Sequence, residues 1–210
     1  MRGLANPDSK IFSILNKLAL LMELNLLVLL CCLPVFTAGA AFCAMHAVLL
    51  KIYRNEDKRV VTDFFGALKT NLKNGTILWL LFLGYLGVLA GLWALAEFFL
   101  PQVAVYVLFG LLLAATLGAI LLDWALILQS RYDYTVPQSL RYALLAWMKY
   151  PGSTFVYLIS GLVPLLLCSS LLTWPLVALV AITLPQIIST TLYSRVFNEL
   201  EGIPDTLPEL

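Results

Sequence analysis

Charge is scarce in this chain of 210 residues, of which only 12% are charged while 61% are hydrophobic. A soluble domain carries about twice that charged fraction, so polar groups could not cover the surface of this one. A net charge of +1 gives no sign of the strongly basic face that nucleic-acid binding requires, and no nucleic acid is expected. The composition predicts a lipid bilayer as the main partner.

Residues that build catalytic and metal sites are also few. The chain has one histidine and four cysteines, and no Cys-x-x-Cys pair with a supporting histidine occurs among Cys31, Cys32, Cys43 and Cys168. The zinc-protease, nucleophile-elbow and phosphate-loop motifs are missing as well. We therefore expect no enzyme, no metal site and no cofactor.

Long apolar stretches, by contrast, fill most of the chain. All 13 Lys and Arg residues can be placed on one side of a membrane by a single threading. Because basic flanks stay cytoplasmic during insertion, the pattern predicts an all-α, multi-pass protein of the inner membrane. It has six transmembrane helices in three antiparallel hairpins, with both termini cytoplasmic. The predicted spans are 18–33, 37–53, 76–100, 103–129, 153–172 and 175–194.

Pro34 separates the first two spans. One long helix over 18–50 would place this proline in its middle, where it removes a backbone hydrogen bond and clashes with the previous turn. A cleaved signal peptide is the other alternative, but Glu23 and Asn25 interrupt its apolar run. We predict a tight hairpin turn at Pro34, a single membrane domain over 1–198 and an acidic, mobile tail over 199–210.

An amphipathic element is predicted before each hairpin, on the cytoplasmic side. The three elements open at Asn6-Pro7-Asp8, Thr62-Asp63 and Val136-Pro137. In the second, an apolar stripe lies opposite Lys69 and Lys73 and consists of Phe64, Phe65, Leu68 and Leu72. A basic flank beside an apolar face suits a helix in the headgroup layer, and packing on the ends of the spans is an equal alternative.

Small residues predict where spans three and four approach each other. They recur at helical spacing, which allows close backbone contact in lipid, at Gly84, Gly87, Gly91, Gly110, Ala114 and Gly118. A close hairpin is the favoured interpretation, and the interface of a homo-oligomer is the alternative. Pro164 and Pro185 predict kinks within spans five and six.

A few polar residues fall inside the spans, where charge is costly and each case is a functional candidate. Glu23, His46 and Asp123 each lie about six residues from the cytoplasmic end of a span, roughly 9 Å deep. With Asn25 and Gln186 they predict a polar cluster in the cytoplasmic half of the membrane. Structural pairing between helices is the favoured role. The two alternatives are a binding site for a substrate or ion, and a contact with a partner protein.

The stretch from Asn25 to Gly39, with its Leu33-Pro34-Val35 and Thr37-Ala38-Gly39, resembles the opening of the YesL-type bacterial membrane proteins. Val28 stands where that family often has Trp. Residues 63–73 and 184–197 are also similar in part. The resemblance covers nearly the whole chain, and the family carries a domain-of-unknown-function label.

This resemblance implies a helical inner-membrane protein of unproven activity, associated with carbohydrate-uptake transporters. On that basis the expected role is accessory to solute transport, with carbohydrate as the expected solute. The candidate partners are ABC transporter subunits. The alternative is a small independent transporter or channel built around the polar cluster.

Overall fold

A computed structural model describes residues 10–54 and 59–150, with five later residues, Thr183, Gln186, Thr190, Ser194 and Phe197. Within these residues the protein is all-helical, as predicted, with no strand. A short 3-10 turn, Val35–Thr37, accompanies five α-helices. These are α1 (Lys10–Cys32), α2 (Ala38–Tyr53), α3 (Val60–Phe99), α4 (Ala104–Arg131) and α5 (Val136–Lys149).

Four helical segments of the described part are long and apolar enough to cross a membrane, which fits a membrane protein. They belong to α1, α2 with its preceding turn, α3 and α4. The predicted spans over 153–172 and 175–194, the kinks at Pro164 and Pro185, and the tail over 199–210 lie outside the described residues. Six spans therefore remain a prediction.

Pro34 lies in the turn between α1 and α2, so one helix does not run through both. The hydroxyl of Thr37 donates hydrogen bonds to the carbonyl oxygens of Cys31 and Pro34, at 2.6 and 2.8 Å. Its backbone N–H donates to the same Pro34 oxygen at 2.9 Å. The turn is fixed by its own polar groups.

The amphipathic elements predicted before spans one and three are not separate helices. Lys10–Cys32 is one helix, and α3 continues for 40 residues without a break. Gly75 lies within this helix, and Ala40 packs directly on it, so tertiary contact offsets its low helix propensity. The predicted stripe also divides, because Phe64 is buried whereas Phe65 and Leu72 are exposed.

The longest close contact joins α2 to the first half of α3. Gly39, near the start of α2, lies against the backbone of Gly75 and the side chain of Trp79. At the other end, Lys51 Nζ lies 2.8 Å from Asp63 Oδ1. The two helices are therefore antiparallel, and α2 lies beside the segment from Asp63 to Trp79.

α5 is a separate amphipathic helix, as predicted, and it packs on the end of α4. Thr135 precedes it, and Gln138 Oε1 accepts hydrogen bonds from the N–H and hydroxyl of Thr135, at 3.0 and 2.9 Å. Behind this cap the buried Ser139 hydroxyl donates to Gln129 Oε1 at 2.7 Å. Within α5, Trp147 packs on the core and Met148 is exposed.

Buried side chains are concentrated at one end of these helices. One cluster surrounds Trp124 of α4, and a second surrounds Phe64, Leu24 and Leu49 from α3, α1 and α2. We call this part the helical core. Beyond it α3 and α4 continue as an outer arm, residues 80–118, in which Ala104 is the one buried residue.

Candidate functional site

His46 and Asp123, both predicted members of the polar cluster, meet between α2 and α4. Their Nε2 and Oδ1 atoms lie 3.4 Å apart, and their side chains are 3% and 24% exposed. His46 belongs to the buried face of α2, next to the fully buried Met45, and Asp123 precedes the fully buried Trp124. The pair is therefore held by packing on both helices.

A small cavity adjoins His46. Its walls come from α2, α4 and two of the later residues, namely His46, Leu50, Ile127, Ser130, Thr190 and Phe197. Its volume is about 10 Å³, close to the minimum for one water molecule. A water or a proton fits this space, whereas a sugar does not.

Asn25 forms a different contact, on the other side of the core. It is fully buried, and its Oδ1 accepts a hydrogen bond from the N–H of Thr183 at 3.3 Å. The Thr183 hydroxyl in turn donates to the carbonyl oxygen of Leu21 at 3.0 Å. Glu23, two residues from Asn25, is exposed and does not join this contact.

Gln186 lies in sequence between Thr183, which contacts Asn25, and Thr190, which lines the cavity beside His46. Thr183, Gln186 and Thr190 are helical and spaced by three and four residues, which is the spacing of one helix face. The Thr190 hydroxyl donates to the Gln186 carbonyl oxygen at 2.8 Å. The buried Gln186 Oε1 has no hydrogen-bond partner among the residues the structure describes.

The structure thus brings His46 to Asp123, and it brings Asn25 to a polar helix face that also carries Gln186. Thr183, Thr190 and Ser194 on that face are buried, and the sequence analysis did not select them. Their signal was available, since small polar residues recur there at helical spacing through an apolar segment.

The predicted packing glycines lie mostly on the surface. Gly84, Gly87, Gly91 and Gly110 are exposed, and within the described residues no atom lies within 4 Å of a methyl group placed on any of them. Only Gly118 makes the expected close approach, to the ring of Tyr85. That tyrosine also donates a hydrogen bond to the Ala114 carbonyl oxygen at 2.8 Å.

Within the part of the chain that the structure describes, no group of three His, Cys, Asp or Glu side chains could hold a metal ion. The polar atoms at His46, Asp123 and Asn25 can pair helices, hold a water or carry a proton.

The comparisons with known proteins give one family match. Residues 21–91 match the model of a family described as a protein of unknown function, DUF624. The matched segment covers α2 entirely, most of α1 and most of α3. No curated protein and no solved structure matches the chain.

Proposed function

We propose that this protein is an accessory to a solute transporter of the inner membrane, and that it docks on transporter subunits through the cytoplasmic end of α3. The observation that carries the proposal is an exposed apolar stripe, Val61, Phe65 and Leu72. Intervals of four and seven residues place these side chains on one helix face. The exposed Lys69 and Lys73 flank them.

The length of α3 supports a position for this stripe outside the hydrocarbon. Forty residues extend about 60 Å, whereas the hydrocarbon core is about 30 Å thick. The apolar part, 76–99, is long enough to cross it, which leaves the polar part, 60–75, outside. An apolar patch rimmed by charge in that position is typical of a protein-binding surface.

The size of the buried polar site favours an accessory over a pore. The cavity beside His46 holds about 10 Å³, and the other polar contacts, at Asn25 and Gln129, join helices directly. Carbohydrate is the first solute class to examine, because the resemblance to the YesL-type proteins implies it.

Site-specific photocrosslinking tests the docking surface. A crosslinking amino acid at Phe65, in cells using the candidate carbohydrates, is expected to capture a permease or ATPase subunit of a transporter. Val88 provides a matched control, because it is exposed on the outer arm of the same helix and should contact lipid. Capture of only a second copy at position 65, or no protein at all, would contradict the proposal.

A small independent transporter or channel is the second candidate, and the His46–Asp123 contact favours it. A buried imidazole beside a carboxylate can take up and release a proton. If this role is correct, His46→Gln abolishes proton-coupled uptake into proteoliposomes while the protein stays folded, and Gln129→Glu, outside the cavity, serves as a comparison. Unchanged uptake in His46→Gln would leave the pair with a structural role.

A further inference from the structure

The turns of the two helical hairpins, α1–α2 and α3–α4, lie at very different levels along the axis of α3. Gly39 lies against Gly75 and Trp79, and the turn Val35–Thr37 comes immediately before α2. The α1–α2 turn is therefore close to the level of Trp79. From Trp79, α3 continues for 20 more residues to Phe99, which is about 30 Å, before it turns into α4.

A difference of this size is incompatible with two hairpins that both cross one bilayer. The hydrocarbon core is itself about 30 Å thick. If the α1–α2 turn lay at the far face, the outer arm would extend into water. The arm carries many large exposed apolar side chains, including Val88, Leu95, Phe98 and Tyr106, so its place is in lipid and its tip marks the far face.

The chemistry of the two turns differs in the same sense. At the α1–α2 turn, Leu33, Val35 and Phe36 are 77%, 62% and 57% exposed, and no charged residue lies between Cys31 and Ala41. The α3–α4 turn also exposes Phe99 and Leu100, but it adds Gln102, with Glu97 close by, and both are exposed. The α1–α2 turn thus exposes no charged or amide side chain, which suits hydrocarbon, whereas the α3–α4 turn carries polar groups that suit water.

Backbone groups of the α1–α2 turn are largely bonded to one another, as a position in lipid requires. Leu33 N–H donates to Leu30 O at 3.3 Å, and Ala38 N–H donates to Val35 O. The Thr37 hydroxyl and N–H cover the Cys31 and Pro34 oxygens. Pro34 itself has no N–H to satisfy.

From these contacts we infer that the α1–α2 hairpin is re-entrant. It enters from the basic, cytoplasmic side and turns back near the cytoplasmic boundary of the hydrocarbon, at the level of Trp79, while the α3–α4 hairpin crosses. Both of its ends stay on the side predicted from Lys and Arg. The exposed Glu23 then lies ten residues before Leu33, about 15 Å from the tip along the helix, outside the hydrocarbon, where a charge is tolerated.

Depth measurement by spin labelling tests this inference. In the full-length chain with its four native cysteines replaced by alanine, a nitroxide is attached at Leu33→Cys or Gln102→Cys after reconstitution in liposomes. A re-entrant turn predicts that the label at position 33 collides with dissolved oxygen and loses its collisions with a water-soluble nickel complex. The label at position 102 should keep the nickel collisions.

Phe36→Cys repeats the measurement on the other side of the turn, in case the first variant does not fold. Equal access of the nickel complex at positions 33 or 36 and at 102 would overturn the inference, because both turns would then lie in water. Transporter capture at Phe65 has no bearing on this result, so the topology and the proposed function can fail separately.

Discussion

The helical core and the outer arm both contain apolar helices, but they are apolar for different reasons. Within an 18-residue apolar stretch of each candidate span, 61% of the residues are buried inside the protein for α2 with its preceding turn, against 6% for α3 and 11% for α4. Side chains of α2 are covered by neighbouring helices, whereas those of the arm require lipid. Hydrophobicity alone therefore does not tell which solvent an apolar helix meets.

Glycine shows the same contrast. Gly39 and Gly75 allow backbone contact in the core, while Gly84, Gly87 and Gly91 lie exposed on the arm. Small residues at helical spacing show that another helix could pack closely against this one. They do not show that such a helix is present. Substitutions in matched pairs, one in each region, test whether the core and the arm differ in this way.

Tryptophan should give the largest difference. Trp124 is fully buried in the core, whereas Trp93 lies exposed on the arm. Trp124→Ala removes the centre of a packed cluster and should lower the free energy of unfolding by about 3–5 kcal/mol. Trp93→Ala should cost far less. Unfolding in detergent micelles titrated with SDS measures both, and equal losses would show that the arm is also packed by protein.

Glycine to alanine comes next. A methyl group at Gly39 overlaps the carbonyl oxygen of Gly75, so Gly39→Ala must separate α2 from α3, at a cost of about 1–3 kcal/mol. Gly87→Ala meets no described atom within 4 Å, and it should leave stability unchanged or raise it through helix propensity. A destabilised Gly87→Ala would indicate that a second copy covers the arm, as the homo-oligomer alternative requires.

These two pairs also show how far the sequence could predict the structure. The locations of the first four apolar helices and the division at Pro34 follow from local rules of length, hydrophobicity and proline stereochemistry. The matching depths of His46 and Asp123 followed from counting residues along the spans. Each of these depends on one segment at a time.

Contacts between segments were beyond those rules. The continuity of α3 through Gly75 depends on Ala40, and the level of the α1–α2 turn depends on where Gly39 docks. Thr183 was missed because its importance lies in its partners, Asn25 and Leu21. The hydrophobic periodicity and composition of one segment do not predict which residues of another segment it will contact.

Hydrogen bonding in the core should give a smaller effect than packing. Asn25 is fully buried and accepts from Thr183, so Asn25→Ala should cost about 0.6–1.7 kcal/mol, as for hydrogen bonds between membrane helices. Glu23→Gln changes an exposed side chain on the same helix and should have no measurable effect. A larger loss for Glu23→Gln would mean that its carboxylate has a partner beyond the described residues.

The smallest effect is expected at the ion pair between α2 and α3. Lys51 Nζ and Asp63 Oδ1 lie 2.8 Å apart, but the lysine side chain is nearly half exposed. Exposed pairs contribute about 0.2–1 kcal/mol and weaken with salt. Asp63→Asn should therefore lower stability slightly at low ionic strength and not at high ionic strength. If the loss persisted in high salt, the pair would be shielded from water, and the segment of α3 beside α2 would lie deeper in the membrane than a re-entrant hairpin allows.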